Sequence, residues 1–271
     1  MDSLKNKNLP FDKISNILTL RYDPNNQSNL KKINWKDYLP KKTVNHTSIK
    51  NLLQNSLKKN LISKSNLSVA LSGGVDSTLL LSLTKEIFPD LPITAITITF
   101  PYSEDESKTA SNIAQNFDID HKIIHVDNFL KELPAAIGIL KEPYYDVMNW
   151  YYLVKNSKSI SNSLLTGDGA DEIFGGYTFR YSKFLNSIND NSSPIEKVKA
   201  YLQCHERDWV PDQENLFGHK SKFSWNQIND ILKPFFDNSL SSLDQLFLAD
   251  FNGKLKNNFI PNYEKFYNFF K

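Results

Sequence analysis

Leu71-Ser72-Gly73-Gly74-Val75-Asp76-Ser77 closes an apolar run that begins at Leu67 and opens directly onto a helix-forming stretch. Two adjacent glycines between a strand and a helix present backbone N–H groups at a helix N-terminus with no side chain in the way. Unpaired donors and the helix dipole make such a turn a ready anion site. Ser72, Ser77 and Thr78 add hydroxyl donors. Asp76 would repel a phosphate by itself, and makes sense there if it holds a magnesium ion that bridges to phosphate oxygens. No Gly-Lys-Ser/Thr follows, so this is not a Walker A loop, and the glycines lack the spacing of the dinucleotide fingerprint. An ordinary capped strand-to-helix turn is the competing reading of this segment taken alone.

The second glycine segment is Thr166-Gly167-Asp168-Gly169-Ala170-Asp171-Glu172-Ile173-Phe174-Gly175-Gly176-Tyr177, and the two segments together hold six of the nine glycines in the chain. Asp168, Asp171 and Glu172 are many carboxylates for one turn. Their mutual repulsion calls for a cation, or for a proton on one of them.

Around these segments, apolar strand-like runs alternate with helical periodicity. Strands are expected at 67–71, 93–100, 121–126 and 163–166, with helices at 76–87, 104–117, 129–140 and 147–157 between them. That order predicts an α/β fold, a parallel sheet with helices on both faces. Residues 1–45 read as a polar N-terminal extension with one short strand at 17–22, and Thr47 as the cap of a helix to about Lys59 with Ile49, Leu52, Leu53 and Leu57 on its apolar stripe. The sheet core is expected at 46–180. Residues 181–271 read as a helical C-terminal region, whose helices at 183–188, 195–204, 225–236 and 243–256 carry aromatics expected to pack as a layer on the sheet.

A length of 271 residues allows a sizeable core, and a net charge of +2 gives no reason to expect nucleic acid or a membrane surface as partner. The single cysteine, Cys204, rules out an intrachain disulfide and reads as a packed residue. The N-terminus lacks the apolar core of a signal peptide and no apolar run reaches membrane-spanning length, so a cytoplasmic setting is expected. His121 and His125 have no partner spacing for zinc.

Ser72-Gly73-Gly74-Val75-Asp76-Ser77 resembles the pyrophosphate loop (PP-loop) of the N-type ATP pyrophosphatases, the adenine nucleotide α-hydrolase-like fold, whose members cleave ATP between the α and β phosphates. The segment 166–177 resembles the second signature of the asparagine synthetase synthase domain and of the related β-lactam synthetases. The resemblance implies ATP and Mg2+ as cofactors. It assigns Leu71, Ser72, Gly73, Gly74, Asp76, Ser77, Thr166 and Gly167 to the nucleotide, and Asp76 with Asp171 to the metal. It makes Asp168 the acid that organises an acyl-adenylate and receives protons from attacking ammonia, at a position where many relatives carry glutamate. Between the signatures the likeness is weaker. Thr97-Ile98-Thr99-Phe100 resembles the strand whose backbone meets adenine, which makes Ile98 a candidate. Ser103-Glu104-Asp105-Glu106 with Ala110 resembles the usual helix start. Glu142-Pro143 with Asp146 resembles an element that lines the site, so Glu142, Asp146 and Glu172 are substrate candidates, although a surface or capping role for the first two is equally open.

Two departures bear on the reaction. The chain opens Met1-Asp2, without the cysteine that begins a glutaminase domain, so ammonia is expected free or from a separate glutaminase subunit. The family's Glu-x-Arg-x-Pro-Phe-Leu-Asp and Lys-x-x-Leu-Arg segments do not occur, and nothing in the spacing supports Lys254, Lys256 or Lys265 as the missing lysine. The resemblance implies adenylation of a carboxylate, in the simplest case aspartate, followed by amidation. The rivals are a related amide ligase on another small carboxylate, a nucleotide-binding subunit without turnover, and a tRNA-modifying enzyme. The last is disfavoured by the charge and the single cysteine. Whether the chain forms a homo-oligomer is open.

Overall fold

Leu67, Ser68 and Val69 are buried in succession, which is the mark of a strand covered on both faces rather than on one. This run is the centre of the sheet in a computed structural model that describes residues 11–39, 45–101, 105–142, 147–205, 212–218 and 223–270. The strands are β1 (Leu67–Ala70), β2 (Ile93–Thr99), β3 (Asp120–His125) and β4 (Leu164–Leu165). They lie in the order β3-β2-β1-β4, and every pairing is parallel. Register is set by Val69 opposite Ala95 and Leu165, and by Ile98 opposite Ile124.

The helices in chain order are α1 (Phe11–Leu20), α2 (Trp35–Tyr38), α3 (His46–Leu61), α4 (Val75–Ile87), α5 (Ser107–Asn116), α6 (Leu133–Leu140) and α7 (Met148–Ser157). There follow α8 (Ala170–Phe174), α9 (Thr178–Asn186), α10 (Pro194–Gln203), α11 (Gln213–Phe217), α12 (Trp225–Phe236), α13 (Ser242–Asp250) and α14 (Ile260–Phe269). A 3-10 turn spans Phe129–Lys131, and Phe251–Phe259 is a π-helix between α13 and α14. Among the described residues no helix is long and apolar enough to cross a membrane.

The chain divides into two compact units. The sheet unit is drawn from Pro40–Leu140, Tyr145–Asp168 and Tyr263–Lys271. Its core joins Leu57 and Leu61 of α3, Leu67, Val69 and Leu71 of the central strand and its exit, Leu81 and Leu83 of α4, and Ala110 and Ala114 of α5. The helical unit is drawn from Met1–Leu39, Lys141–Tyr144 and Gly169–Asn262. The aromatic tail, expected as a layer on the sheet, builds a core of its own here, with Phe184, Tyr201 and Phe236 packed beside Leu20 and Tyr22.

Two local expectations are corrected. Residues 17–22 are not a strand: 11–20 form α1, which buries Ile17 and Leu20 and ends where Arg21 takes a φ of 68°. The helix buries Ile17 and Leu20 at i, i+3 and leaves Phe11, Ile14 and Leu18 half-buried, a packing that outweighs the short β-like run Ile17–Leu20. Helix α3 is capped by Asn45, whose side chain accepts from the Ser48 N–H, and not by Thr47. Of its stripe Leu57 is buried while Leu52 is exposed. Ser103, Glu104 and Asp146 lie outside the described residues.

Candidate active site

In the sheet unit the chain runs from β1 to β2 and β3 on one side, and reaches β4 on the other side of β1. The carboxyl ends of β1 and β4 therefore flank a topological switch point, where open parallel sheets take their ligands. Both glycine segments leave the sheet at this edge, directly after Ala70 and Leu165.

Gly74 is the N-cap of α4, with extended backbone (φ −83°, ψ 166°), and no side chain caps the helix. Cβ atoms explain the neighbouring glycines. One built on Gly73 would come 2.9 Å from Thr109 Cγ2 of α5, and one on Gly167 would stand 3.1 Å from Asp76 Cβ and 3.2 Å from the Ser77 nitrogen. None of these three has a positive φ, and at Gly73 and Gly167 close approach rather than a turn accounts for glycine. Gly167 thereby brings the second segment against the first turn of α4, where Asp76 sits half-buried.

The serines expected as phosphate donors also brace the loop. Ser77 Oγ accepts from the Ser72 N–H at 3.2 Å and lies 3.1 Å from Ser72 Oγ, which accepts from the Gly74 N–H at 3.2 Å. The Thr78 hydroxyl donates to the Gly74 carbonyl at 2.7 Å. Leu71 is tied to β2 through its backbone, its N–H donating to Ile96 O at 2.9 Å and its carbonyl accepting from Thr97 Oγ1 at 2.6 Å. Ile98 lies half-buried near the carboxyl end of β2. His121 is held between Thr97 Oγ1 at 2.8 Å and Ser111 Oγ at 3.1 Å.

Asp168, the last residue of the second segment in this unit, is exposed, and its Oδ2 accepts a hydrogen bond from the Tyr263 phenol. Burial first, and then the Asp168 charge, push that phenol far above its ordinary pKa, so it stays protonated and donates. Tyr263 lies 95 residues from Asp168 in the chain, and no spacing in the sequence announces it.

The remainder of the second segment belongs to the helical unit. Gly169 (φ 93°) and Gly175 (φ 80°) bracket α8 in left-handed conformations that favour glycine. Gly176 has a different reason: a Cβ there would fall 1.6 Å from Asp171 Oδ1, so only glycine leaves room for that carboxylate. The Asp171 carbonyl accepts from the N–H groups of Gly175 at 3.0 Å and Gly176 at 3.2 Å, and from the Tyr181 phenol at 3.1 Å. Glu142, the other substrate candidate described, is buried and paired with Lys13 at 3.2 Å.

Glu172 is also buried, with Lys254 Nζ 3.9 Å from its Oε1. Lys254 and Leu255 stand next to each other on the π-helix. Leu255 Cδ2 occupies the space a Cβ on Gly169 would enter, at 2.6 Å. Lys254, set aside on spacing, thus reaches the second signature after all. Burial raises the Glu172 carboxyl and lowers the Lys254 ammonium, each outweighing the attraction across the pair. The carboxylate excess of the motif is therefore met partly by protein groups, Lys254 at Glu172 and Tyr263 at Asp168.

A group whose folded pKa is raised stabilises the fold below its unfolded pKa, and that contribution is lost as pH rises through the folded value. Lys254→Met removes the main influence that lowers Glu172, so its destabilisation should be larger at pH 8 than at pH 5. The slope can reach about 1.4 kcal/mol per pH unit for one proton. Urea unfolding of both chains across this range measures it, and a pH-independent loss would contradict the assignment.

Beneath this pair lies a buried network. Arg180 grips Asp250 through both branches, Nη1 to Oδ2 at 2.9 Å and Nη2 to Oδ1 at 3.2 Å, and the Tyr201 phenol donates to Oδ1 at 2.8 Å. Arg180 Nη2 also lies 3.1 Å from His205 Nδ1. A guanidinium only donates, so Nδ1 is the acceptor and the imidazole proton sits on Nε2. Burial, with Lys254 and Arg180 nearby, keeps His205 neutral by pushing its pKa well below the usual value.

The donor set suits a magnesium-bound polyphosphate: an uncapped helix start at Gly74, loop hydroxyls, and Asp76 in the first turn. Among the described residues no three His, Cys, Asp or Glu side chains gather as a metal cluster. A magnesium ion here would take one or two carboxylates and complete its shell with phosphate oxygens and water.

A parallel sheet with acid-bearing glycine loops at its switch point defines an α/β protein of the arrangement in which ligands are generally taken at the carboxyl edge of the strands. The family model for asparagine synthase matches residues 48–250, and the chain belongs to that family. It is 26% identical over 183 residues to the glutamine-hydrolyzing asparagine synthetase 1 of Bacillus subtilis (strain 168), covering 62% of this chain and 29% of that protein. It is 27% identical over 199 residues to the glutamine-hydrolyzing asparagine synthetase B of Escherichia coli (strain K12), covering 64% of this chain and 34% of that one. The chain thus spans about a third of the length of these curated relatives. Among solved structures, an NMN synthetase from Francisella tularensis aligns with 79% of this chain and 94% of its own, at a TM-score of 0.40 and 16% identity.

Proposed function

We propose that this chain is the ATP-using part of an amide ligase, which activates a small carboxylate as its adenylate and passes the acyl group to ammonia. The observation that carries the reading is the approach of Gly167 to Asp76 and Ser77, which joins the two family signatures at the carboxyl edge of the sheet. In the first step a carboxylate oxygen, most simply of aspartate, bonds to the α-phosphorus of ATP. The bond to the bridging oxygen breaks and pyrophosphate leaves with the electron pair. In the second step ammonia adds to the acyl carbon, the acyl–oxygen bond breaks and AMP leaves.

The N–H groups at the start of α4 bind phosphate oxygens in this scheme, and Ser72 and Ser77 hold the loop that presents them. Asp76 holds magnesium, which when bound neutralises phosphate charge. Asp171 shares that role on the strength of its motif, with Gly176 leaving space for its carboxylate. Asp168 takes the proton that the attacking nitrogen must lose. Thr166 and Gly167 line the nucleotide, Ile98 offers its backbone to adenine, and free ammonium or a separate glutaminase supplies the nitrogen.

The test is pyrophosphate release from ATP and Mg2+ by the 271-residue chain, omitting aspartate and ammonium in turn. Release that requires aspartate, with asparagine formed only when ammonium is added, is the expected result. Nucleotide binding without pyrophosphate under any of these conditions would contradict the reading and favour a subunit without turnover.

A further inference from the structure

Asp168 is exposed and stands between Gly167 and Gly169, neighbours whose backbones restrain it least. A proton acceptor in that position needs an outside anchor if it is to meet the nucleophile in one geometry. The sheet unit supplies one in the part of α14 from Tyr263 onward. Tyr263, Phe266 and Tyr267 share one face of that helix at i, i+3 and i+4. The Tyr263 phenol donates to Asp168 Oδ2, the buried Phe266 ring meets Tyr151 edge-on at 5.6 Å, and the Tyr267 phenol donates to the Asn162 carbonyl just before β4. Trp150 of α7 packs on the Tyr263 ring at 5.2 Å with the planes 33° apart, and Thr166 lies beside the phenol. Helix α14 is thereby fastened along the segment that leads through β4 to Asp168.

We propose that Tyr263 is a positioning residue for amide formation, whose phenol holds the Asp168 carboxylate where it accepts the proton of the attacking nitrogen. The inference rests on the functional reading above, and neither the motifs nor the resemblance assigns Tyr263. In the transfer the nitrogen–carbon bond forms, the acyl–oxygen bond breaks with its pair going to AMP, and the nitrogen's proton passes to Asp168. Tyr263 keeps its own proton throughout. Adenylation transfers no proton, so a loss confined to proton transfer should separate the two half-reactions.

The experiment uses Tyr263→Phe, Asp168→Asn and the double variant in the full chain, with aspartate, ATP, Mg2+ and ammonium as probes. Tyr263→Phe should slow asparagine formation about tenfold, a part of the hundredfold or more that a positioned proton acceptor contributes. It should leave aspartate-dependent exchange of pyrophosphate into ATP, and the KM for ATP, within about twofold; a hydroxyl that only supported the fold would depress both half-reactions. In the Asp168→Asn background the same change should add nothing. A second readout needs no turnover: the two single changes should be non-additive in the urea midpoint of unfolding. Additive midpoints, or asparagine formed by Tyr263→Phe at the parental rate, overturn the inference. A parental chain without aspartate-dependent exchange but with coupled midpoints overturns instead the functional reading on which it rests.

Discussion

Asp76→Asn should reduce pyrophosphate release by at least about a thousandfold while leaving the fold in place. The substitution keeps the size of the side chain and its place in the first turn of α4. What it removes is the charge that would hold magnesium against the phosphates. Metal stabilisation of charge in a transition state is worth several kcal/mol, and about 4 kcal/mol corresponds to three decades in rate. The cost to stability is small by comparison: a carboxylate in the first turn of a helix contributes about 0.3–1 kcal/mol through the dipole. Circular dichroism and urea unfolding should therefore place the variant close to its parent while the pyrophosphate assay separates them. A variant that retains pyrophosphate release would remove Asp76 from the metal site.

The second large effect is on folding. Asp250 is fully buried, and burial by itself would raise its carboxyl. Lys254 and Arg180, with hydrogen bonds from Arg180 and Tyr201, overcome that and hold it below the usual carboxylate range. Asp250→Ala leaves the Arg180 guanidinium buried without its counter-ion. Breaking a buried pair on one side costs about 3–5 kcal/mol, against a typical total stability of about 5–15 kcal/mol. The variant should unfold at much lower urea, or fail to accumulate as a folded chain. Replacing both partners, Arg180→Met with Asp250→Leu, should cost less than Asp250→Ala alone, because the Arg180 guanidinium is no longer left stranded and Lys254 keeps Glu172 as a partner. If the double replacement proved the worse of the two, the network would owe its stabilisation to something other than charge pairing.

The parts of this fold that depend on short-range pattern were readable from residues alone. The apolar run at Leu67–Leu71 and the glycines after it define β1, the turn and α4 without help from distant chain, and the alternation that follows yields the parallel order. Reading failed where tertiary packing overrode local preference. The short β-like run Ile17–Leu20 is helical because a helix buries Ile17 and places Leu20 in the core of the helical unit. The helical periodicity at 243–256 gave no sign that the chain would widen into a π-helix at Phe251, and π-turns in helices are rare and often functional. That change of register puts Lys254 at Glu172 and Leu255 at Gly169, contacts that a 3.6-residue period cannot forecast. The candidate site divides in the same way. Its glycines and acids lie in two contiguous motifs, and their reasons are visible as atoms that a Cβ would strike. Their partners Tyr263 and Lys254 come from the last part of the chain, through contacts that no motif encodes.

Transfer of label from carboxyl-18O aspartate tests adenylation most directly, with the 271-residue chain, ATP, Mg2+ and ammonium as the other components. If the carboxylate attacks the α-phosphorus, one 18O ends in the phosphate of AMP for each asparagine formed. Label recovered in inorganic phosphate would mean attack at the γ-phosphorus, and asparagine formed with no label transferred to either product would contradict an acyl-adenylate altogether.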